Sequence, residues 1–300
     1  MRYTVRMANR EDIALTADQL AARRREMEST PPLRNGAQLR LHVLASGSKG
    51  NCSVVENLAT GESVVIDCGI SKRAFMTGLA ECEVDAALIQ AILVTHEHSD
   101  HTKCLGVVTR GLAKVGVQPI VYASRAVRGA SRELQAIQDA IDLRYFASGD
   151  DLSLGGMAVH AFPTLHDAAE SFGFRFDCCG DSIGFMTDTG IVTGEAREAL
   201  AGSHVLALEA NHDLGMLEVG PYPRYLKDRI ASERGHLSNE QSADLLEQLL
   251  DNCVECVVGM HISENNNTYD LPRRTLSQVI ERNDHPARAF VGYQNRIVSV

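Results

Sequence analysis

Four metal-ligating side chains, His96, His98, Asp100 and His101, fall within six positions of the stretch Thr95-His96-Glu97-His98-Ser99-Asp100-His101. The stretch follows the apolar run Ala91-Ile92-Leu93-Val94, so a buried strand emerges there into a loop. Alternate side chains of an extended chain share a face, which lets His96 and His98 meet one cation; a turn then aims Asp100 and His101 at a neighbouring point. Neutral imidazole and carboxylate are good ligands for borderline divalent metals. Without a cation, such crowding would carry a high electrostatic cost, which argues against an ordinary polar loop. Three further candidates stand at strand ends: His166 after MAVHAF, Asp188 after SIGFM and His261 after CVVG. A sheet whose strand ends all deliver ligands to one edge is a rigid way to build a metal site.

Short apolar or alternating runs bounded by Gly, Ser and Asp read as the strands that must do this positioning: LRLHVLA, SVVENL, SVVID, AILVT, PIVYA, MAVHAF, SFGFRF, SIGFMT, HVLALEA, CVVGM and ARAFVGY. Helices are expected over Ser71 to Cys82, Ala123 to Asp142, Gly194 to Ala201 and Ser238 to Leu250. In the last of these, Ser238 and Gln241 fit a capping box ahead of a stripe of leucines. Strands with interspersed helices imply a layered α/β domain with a predominantly antiparallel or mixed sheet. Residues 1–38 differ. A charged stretch, Asp12 to Met27, reads as helical and ends before Pro31-Pro32, so an N-terminal arm, helical or flexible, is expected ahead of a domain spanning 39–300.

The chain has 300 residues, 29 Lys+Arg against 39 Asp+Glu, and a net charge of −10. Its hydrophobic and charged fractions exclude a mostly disordered chain. No apolar run approaches the roughly 20 residues of a membrane span, and the start lacks the apolar core of a secretory signal. Eight cysteines are too sparse for a disulfide scaffold. The expectation is a cytoplasmic protein with no membrane partner. The acidic balance argues against coating nucleic acid through bulk charge, but not against a nuclease, because bound cations reverse the sign locally.

HxHxDH, then a lone His, an Asp and a final His resembles the metallo-β-lactamase family from Leu39 to the C-terminus. The resemblance implies a four-layer αββα sandwich with a dinuclear site at the sheet edge. His96, His98 and His166 would hold one metal; Asp100, His101 and His261 would hold the second, with Asp188 bridging. Asp67 would order the site without binding metal. The strings LASGSKGN, EANHD, GPYP, GHLSNE and HISENN narrow the likeness to the YycJ/WalJ subfamily, cytoplasmic DNA exonucleases related to ribonuclease Z and ribonuclease J. The expected activity is therefore a 5′→3′ DNA exonuclease in which a hydroxide bridging two divalent ions attacks the phosphodiester. Zn²⁺ suits the histidine-rich set, and Mn²⁺ competes because two Asp ligands and a phosphate suit harder metals.

Asp100, His236 and Glu209 are the expected catalytic residues: by the same resemblance, His236 and Glu209 sit beside the metals at the scissile phosphate. A proton donor helps a departing 3′-oxygen, and a carboxylate can fix that histidine's tautomer. Ser48, Asn51, His212, Arg224, Lys227, Ser263 and Asn265 are the expected substrate contacts. Arg224 and Lys227 belong to a cationic stretch that also holds Arg229 and Arg234, interleaved with Tyr222 and Tyr225. A ribonuclease, or an ester or thioester hydrolase, would use the same metal set; a metal-stabilised regulatory protein is the non-enzymatic alternative. DNA is favoured over RNA as the partner, and a homo-oligomer is left open.

Overall fold

The computed structural model describes residues 33–300. The expected helix within Asp12 to Met27, and the arm up to residue 32, lie outside the described residues. Fourteen strands are found among those described: β1 Leu39–Ala45, β2 Cys52–Asn57, β3 Ser63–Ile66, β4 Ile89–Leu93, β5 Ile120–Ala123, β6 Leu143–Tyr145, β7 Asp151–Leu154, β8 Met157–Pro163, β9 Phe172–Cys178, β10 Asp181–Met186, β11 Val205–Glu209, β12 Cys256–Met260, β13 Arg288–Val291 and β14 Val298–Ser299. Between them run α1 Lys72–Glu81, α2 Ser99–Thr102, α3 Leu105–Ala113, α4 Arg125–Ala130, α5 Arg132–Ile137, α6 Gly194–Leu200, α7 Leu214–Val219, α8 Arg224–Ile230, α9 Asn239–Leu249 and α10 Asp270–Arg282.

The strands form two seven-stranded mixed sheets, ordered β14-β1-β2-β3-β4-β5-β6 and β13-β12-β11-β10-β9-β8-β7. Alternation along single strands explains the layers. In β11, Val205 and Ala207 join the cluster shared by both sheets, which includes Leu41, Val55, Phe174 and Phe185. Leu206 and Leu208 join the cluster formed with Leu245, Leu246 and Leu249 of α9 and Leu276, Val279 and Ile280 of α10. On the first sheet, Phe75 and Leu79 of α1 and Leu105, Val108 and Leu112 of α3 are buried against the strands. The expected αββα sandwich is what forms. Burying each such large side chain stabilises by about 1.5–3 kcal/mol.

The capping box at Ser238 and Gln241 is present at α9. The single helix expected over Ala123 to Asp142 is instead two short ones, because Ser131 is extended and caps the second by accepting from Leu134 N–H. Sequence reading missed α3 and α10, the latter carrying Pro272 in its first turn, where a missing N–H does no harm. It also missed the short strands β6, β7 and β14. No helix among the described residues is long and apolar enough to cross a membrane.

Strand direction is what positions the site. In the first sheet β1, β3 and β4 run the same way, with β2 antiparallel between β1 and β3. In the second, β8, β10, β11 and β12 share one direction, with β9 antiparallel between β8 and β10. The carboxyl ends of these seven strands carry the polar residues of the site.

The N-terminal side joins the domain before β1. Arg34, inside the stretch expected to be an arm, is buried; its Nη1 and Nη2 donate to Asp181 Oδ1 and Oδ2 at 2.9 and 2.8 Å. Asp181 Oδ2 also accepts from the Gln38 and Leu39 N–H groups.

Candidate metal centre

Four overlapping groups of side chains bring ligand atoms within 4.8 Å of one another: His96, His98 and His166; Asp100, His101 and His261; His96, His101 and Asp188; and Asp188, Glu209, His236 and His261. The first two are the two expected ligand sets. Asp188 lies between them, with Oδ2 3.5 Å from His101 Nε2 and Oδ1 3.8 Å from His166 Nε2. Asp100 Oδ2 is 3.6 Å from both His101 Nε2 and His261 Nε2.

Hydrogen bonds hold most of these rings by one nitrogen and leave the other to face the centre. His101 Nδ1 donates to Asp67 Oδ2 at 2.7 Å, and His166 Nδ1 donates to the Gly235 carbonyl at 2.9 Å. His96 Nδ1 meets Thr95 Oγ1 at 2.9 Å, while Thr95 is itself held through its N–H and hydroxyl by Asp67. Asp67 thus orders the loop without entering the ligand groups. Glu209 Oε1 accepts from His236 Nδ1 at 2.7 Å and His261 Nδ1 at 3.1 Å. Its Oε2 accepts from Thr189 N–H and Leu237 N–H. Such outer partners fix tautomer and orientation and raise ligand basicity.

The donor set fits divalent cations. His96 Nε2, His261 Nε2 and Asp188 Oδ2 are buried and have no hydrogen-bond partner, an arrangement that costs free energy unless something else binds there. Burial, together with the neighbouring His101, His98 and His166, pushes His96 well below the usual imidazole range, so its lone pair is available. Burial opposes charge on His101 too, but Asp188, Asp67 and Asp100 outweigh it and raise that ring to about 9. Asp188 and Asp100 stay below the ordinary carboxylate range despite burial, because histidines surround them. Ionised carboxylates beside imidazoles make a donor set that can accept a divalent cation.

Local backbone geometry turns these side chains inward. Asp67, Asp188 and His261, each placed just after a strand, adopt φ of 61°, 57° and 54°. The left-handed region is rare for such residues and persists where surroundings over-determine it. At His261 the restraints are explicit: its N–H donates to Ser46 Oγ at 2.7 Å, and its carbonyl accepts from Asn211 Nδ2 at 2.7 Å. Near Asp67, the loops approach so closely that a Cβ on Gly69 would fall 1.6 Å from the Asp100 carbonyl oxygen.

The other expected residues divide. His236, 19% exposed along its side chain, stands at the mouth, its ring centroid 4.9 Å from His166 and 5.1 Å from His261. Glu209 is fully buried, with one oxygen shared between the His236 and His261 rings. Asn51 is buried and its Nδ2 lies 3.0 Å from His101 Nε2 and 3.3 Å from Asp100 Oδ2, so it sits among the ligands. His212 is buried with an unpartnered Nδ1; burial lowers it to about 4, against Glu209 and with His236. Ser48 is exposed on the same loop as Lys49, whose N–H donates to Gln294 Oε1 and whose ammonium pairs with Glu264. Ser263 Oγ accepts from Asn266 N–H, and Asn265 Nδ2 donates to Tyr222 Oη. Arg224 pairs with Glu218 and Asp228, and Lys227 donates to the Glu218 carbonyl. Gln294, whose Nε2 donates to the Gly50 carbonyl and whose Oε1 accepts from Lys49 N–H, is a supporting residue that the sequence did not single out.

Comparison with known proteins agrees with this geometry. The profile of the Beta-lactamase superfamily domain matches residues 62–262. The chain is 34% identical over 244 residues to the exodeoxyribonuclease YycJ of Bacillus anthracis, covering 81% of this chain and 89% of that protein. It is 27% identical over 154 residues to the ribonuclease Z of Mycobacterium avium, covering 44% of this chain and 54% of that one. Among solved structures, the metallo-β-lactamase fold protein YhfI of Bacillus subtilis superposes with a TM-score of 0.66 at 13% identity, over 87% of this chain and 99% of that one. Two mixed sheets, ligands at the carboxyl ends of like-directed strands and a profile spanning the first ligand loop through His261 lead to one assignment: the chain belongs to the β-lactamase superfamily.

Proposed function

We propose that the chain is a dinuclear-metal phosphodiesterase that degrades DNA exonucleolytically in the 5′→3′ direction. The observation that carries this reading is the convergence of His96, His98, Asp100, His101, His166, Asp188 and His261 from the strand ends of both sheets, with unpartnered nitrogen and oxygen atoms among them. The identity to an exodeoxyribonuclease over most of both chains supports DNA as the substrate. His96, His98 and His166 would hold one ion, Asp100, His101 and His261 the other, and Asp188 both. Two divalent ions would supply a nucleophilic hydroxide by lowering the pKa of water from about 15.7 to about 7, and would offset charge on the phosphoryl oxygens. Zn²⁺ is favoured by the five imidazoles, with Mn²⁺ the competitor.

The protein's own part is orientation and proton transfer. His236 presents Nε2 at the mouth to give a proton to the departing 3′-oxygen, while Glu209, bonded to Nδ1, stabilises the imidazolium that gives it. Glu209 does the same holding work for His261. Eight free cysteines suit a reducing compartment, which supports a cytoplasmic location.

A ribonuclease is the second reading, favoured by the likeness to ribonuclease Z. The deciding experiment is digestion of end-labelled single- and double-stranded DNA and matched RNA by protein reconstituted with Zn²⁺ or Mn²⁺. Stepwise loss of nucleotides from the 5′ end of DNA is expected. Preferential cleavage of RNA would favour the second reading, and no cleavage of either by metal-replete protein would refute both.

A further inference from the structure

Arg229 lies in the last turn of α8, and its guanidinium makes an ion pair with Asp167, with Nε 2.5 Å from Oδ2. Asp167 directly follows His166. Its other oxygen, Oδ1, is buried without a hydrogen-bond partner, 3.2 Å from His166 Nε2 and 3.9 Å from His98 Nε2. One carboxylate therefore reaches from the ligand nitrogens to an arginine whose side chain is 59% exposed.

The backbone behind Arg229 is fastened to the same site. Arg234 Nε donates to the His166 carbonyl at 3.2 Å, and the Gly235 carbonyl accepts from His166 Nδ1. His236 N–H donates to the Ile230 carbonyl at 2.9 Å. The fit is close enough that a Cβ on Gly235 would fall 2.1 Å from the Ile230 oxygen and 2.3 Å from the Arg229 oxygen. The end of α8 is thus tied to His166 and His236, which delivers the Arg229 guanidinium to the rim. Arg224 and Lys227, earlier on the helix, are engaged with Glu218 and Asp228 instead.

We propose that Arg229 is a substrate-positioning residue of this site, exchanging Asp167 Oδ2 for the non-bridging oxygens of a nucleic-acid backbone phosphate next to the one being cleaved. The proposal rests on the phosphodiesterase reading. The arginine side of the pair is solvated and Asp167 is 27% exposed, so the exchange gives up one partly solvated ion pair for a charge-assisted contact to phosphate. The planar guanidinium matches two phosphate oxygens as well as it matches a carboxylate.

The test compares wild type, Arg229→Ala and Arg229→Lys, all metal-replete, on a single-stranded DNA oligonucleotide across a range of salt concentrations. Arg229→Ala should lower kcat/KM about tenfold at low salt, chiefly through KM. The slope of log kcat/KM against log salt should become shallower by about 0.7, the value of one lost phosphate contact on a single strand. Arg229→Lys should keep the slope, and metal content per chain should match wild type in both variants. An unchanged slope in Arg229→Ala, whatever the loss of rate, would overturn the proposal, as would loss of a metal equivalent. Failure of wild type itself to degrade the oligonucleotide would refute the nuclease reading and this inference with it.

Discussion

Glu209→Gln is the most discriminating single change. The carboxylate faces four donors, His236 Nδ1 and His261 Nδ1 on one oxygen, Thr189 N–H and Leu237 N–H on the other. Glutamine has the same shape but brings one acceptor oxygen and two new donors. Whichever way the amide turns, two donors lose their acceptor. If the NH₂ faces the histidines, each ring must present Nδ1 as an acceptor, which at His261 places the proton on Nε2, the nitrogen turned toward Asp100 and the expected ion. If it faces the backbone, two buried amides are left unpaired. A buried unsatisfied donor costs about 1–3 kcal/mol, so the metal-free variant should lose about 2–6 kcal/mol. Loss of an outer carboxylate partner should weaken metal affinity about 10–100-fold. Turnover should fall by at least tenfold, because general acid catalysis is worth about 10²–10⁴. Urea unfolding of the metal-free chain, chelator competition and steady-state kinetics read the three effects separately. A variant with wild-type stability and metal affinity would refute the holding role of Glu209.

Other outcomes follow from the same geometry. Asp188→Ala should abolish hydrolysis and lower metal content, since its two oxygens face both ligand sets; full turnover with demonstrated metal loss would contradict the bridging role. His236→Ala should leave both metal equivalents in place while turnover falls about 10²-fold or more, and losing a whole equivalent would mean that His236 is a ligand. Asp181→Asn breaks a buried ion pair with Arg34 and should destabilise by about 3–5 kcal/mol in denaturant titrations near neutral pH. Burial alone would raise the Asp181 pKa, but Arg34 and the Leu39 and Gln38 amides bring it below its ordinary value. A depressed carboxylate stabilises above its unfolded pKa and loses that contribution as pH falls through the folded one, so the gap between wild type and variant should narrow only below about pH 4.

The candidate ligands were legible because each lies in the loop or turn that opens at the end of an apolar strand, and strand ends are read from local pattern. What holds those ligands was not, because the partners are distant in the chain. Ser46 meets His261 across 215 positions, and Arg34 meets Asp181 across 147. No local signal distinguishes Asn51 as a neighbour of His101 from Asn51 as a phosphate contact; only the packing of its loop against Gly69 and Asp100 does. Strands β6 and β7 escaped notice because they are short and largely solvent-facing, without the apolar run that marks β3 or β5, and β14 is only two residues long. Glu209 is expected only through the family resemblance, and its sharing between two imidazoles depends on β11 ending beside β12.

The two sheets contribute unequally to each ligand set, and this makes the ions a clasp. His96 and His98 come from the loop after β4, whereas His166 follows β8; Asp100 and His101 belong to the first sheet's edge, His261 and Asp188 to the second's. Each ion would therefore rivet one half of the sandwich to the other, and prising the halves apart would mean giving up both. By mass action, an ion present at a hundred times its dissociation constant adds about 2.7 kcal/mol of resistance to unfolding. The melting temperature should accordingly climb with free metal concentration, turning heat resistance into a gauge of how well the catalytic edge is loaded.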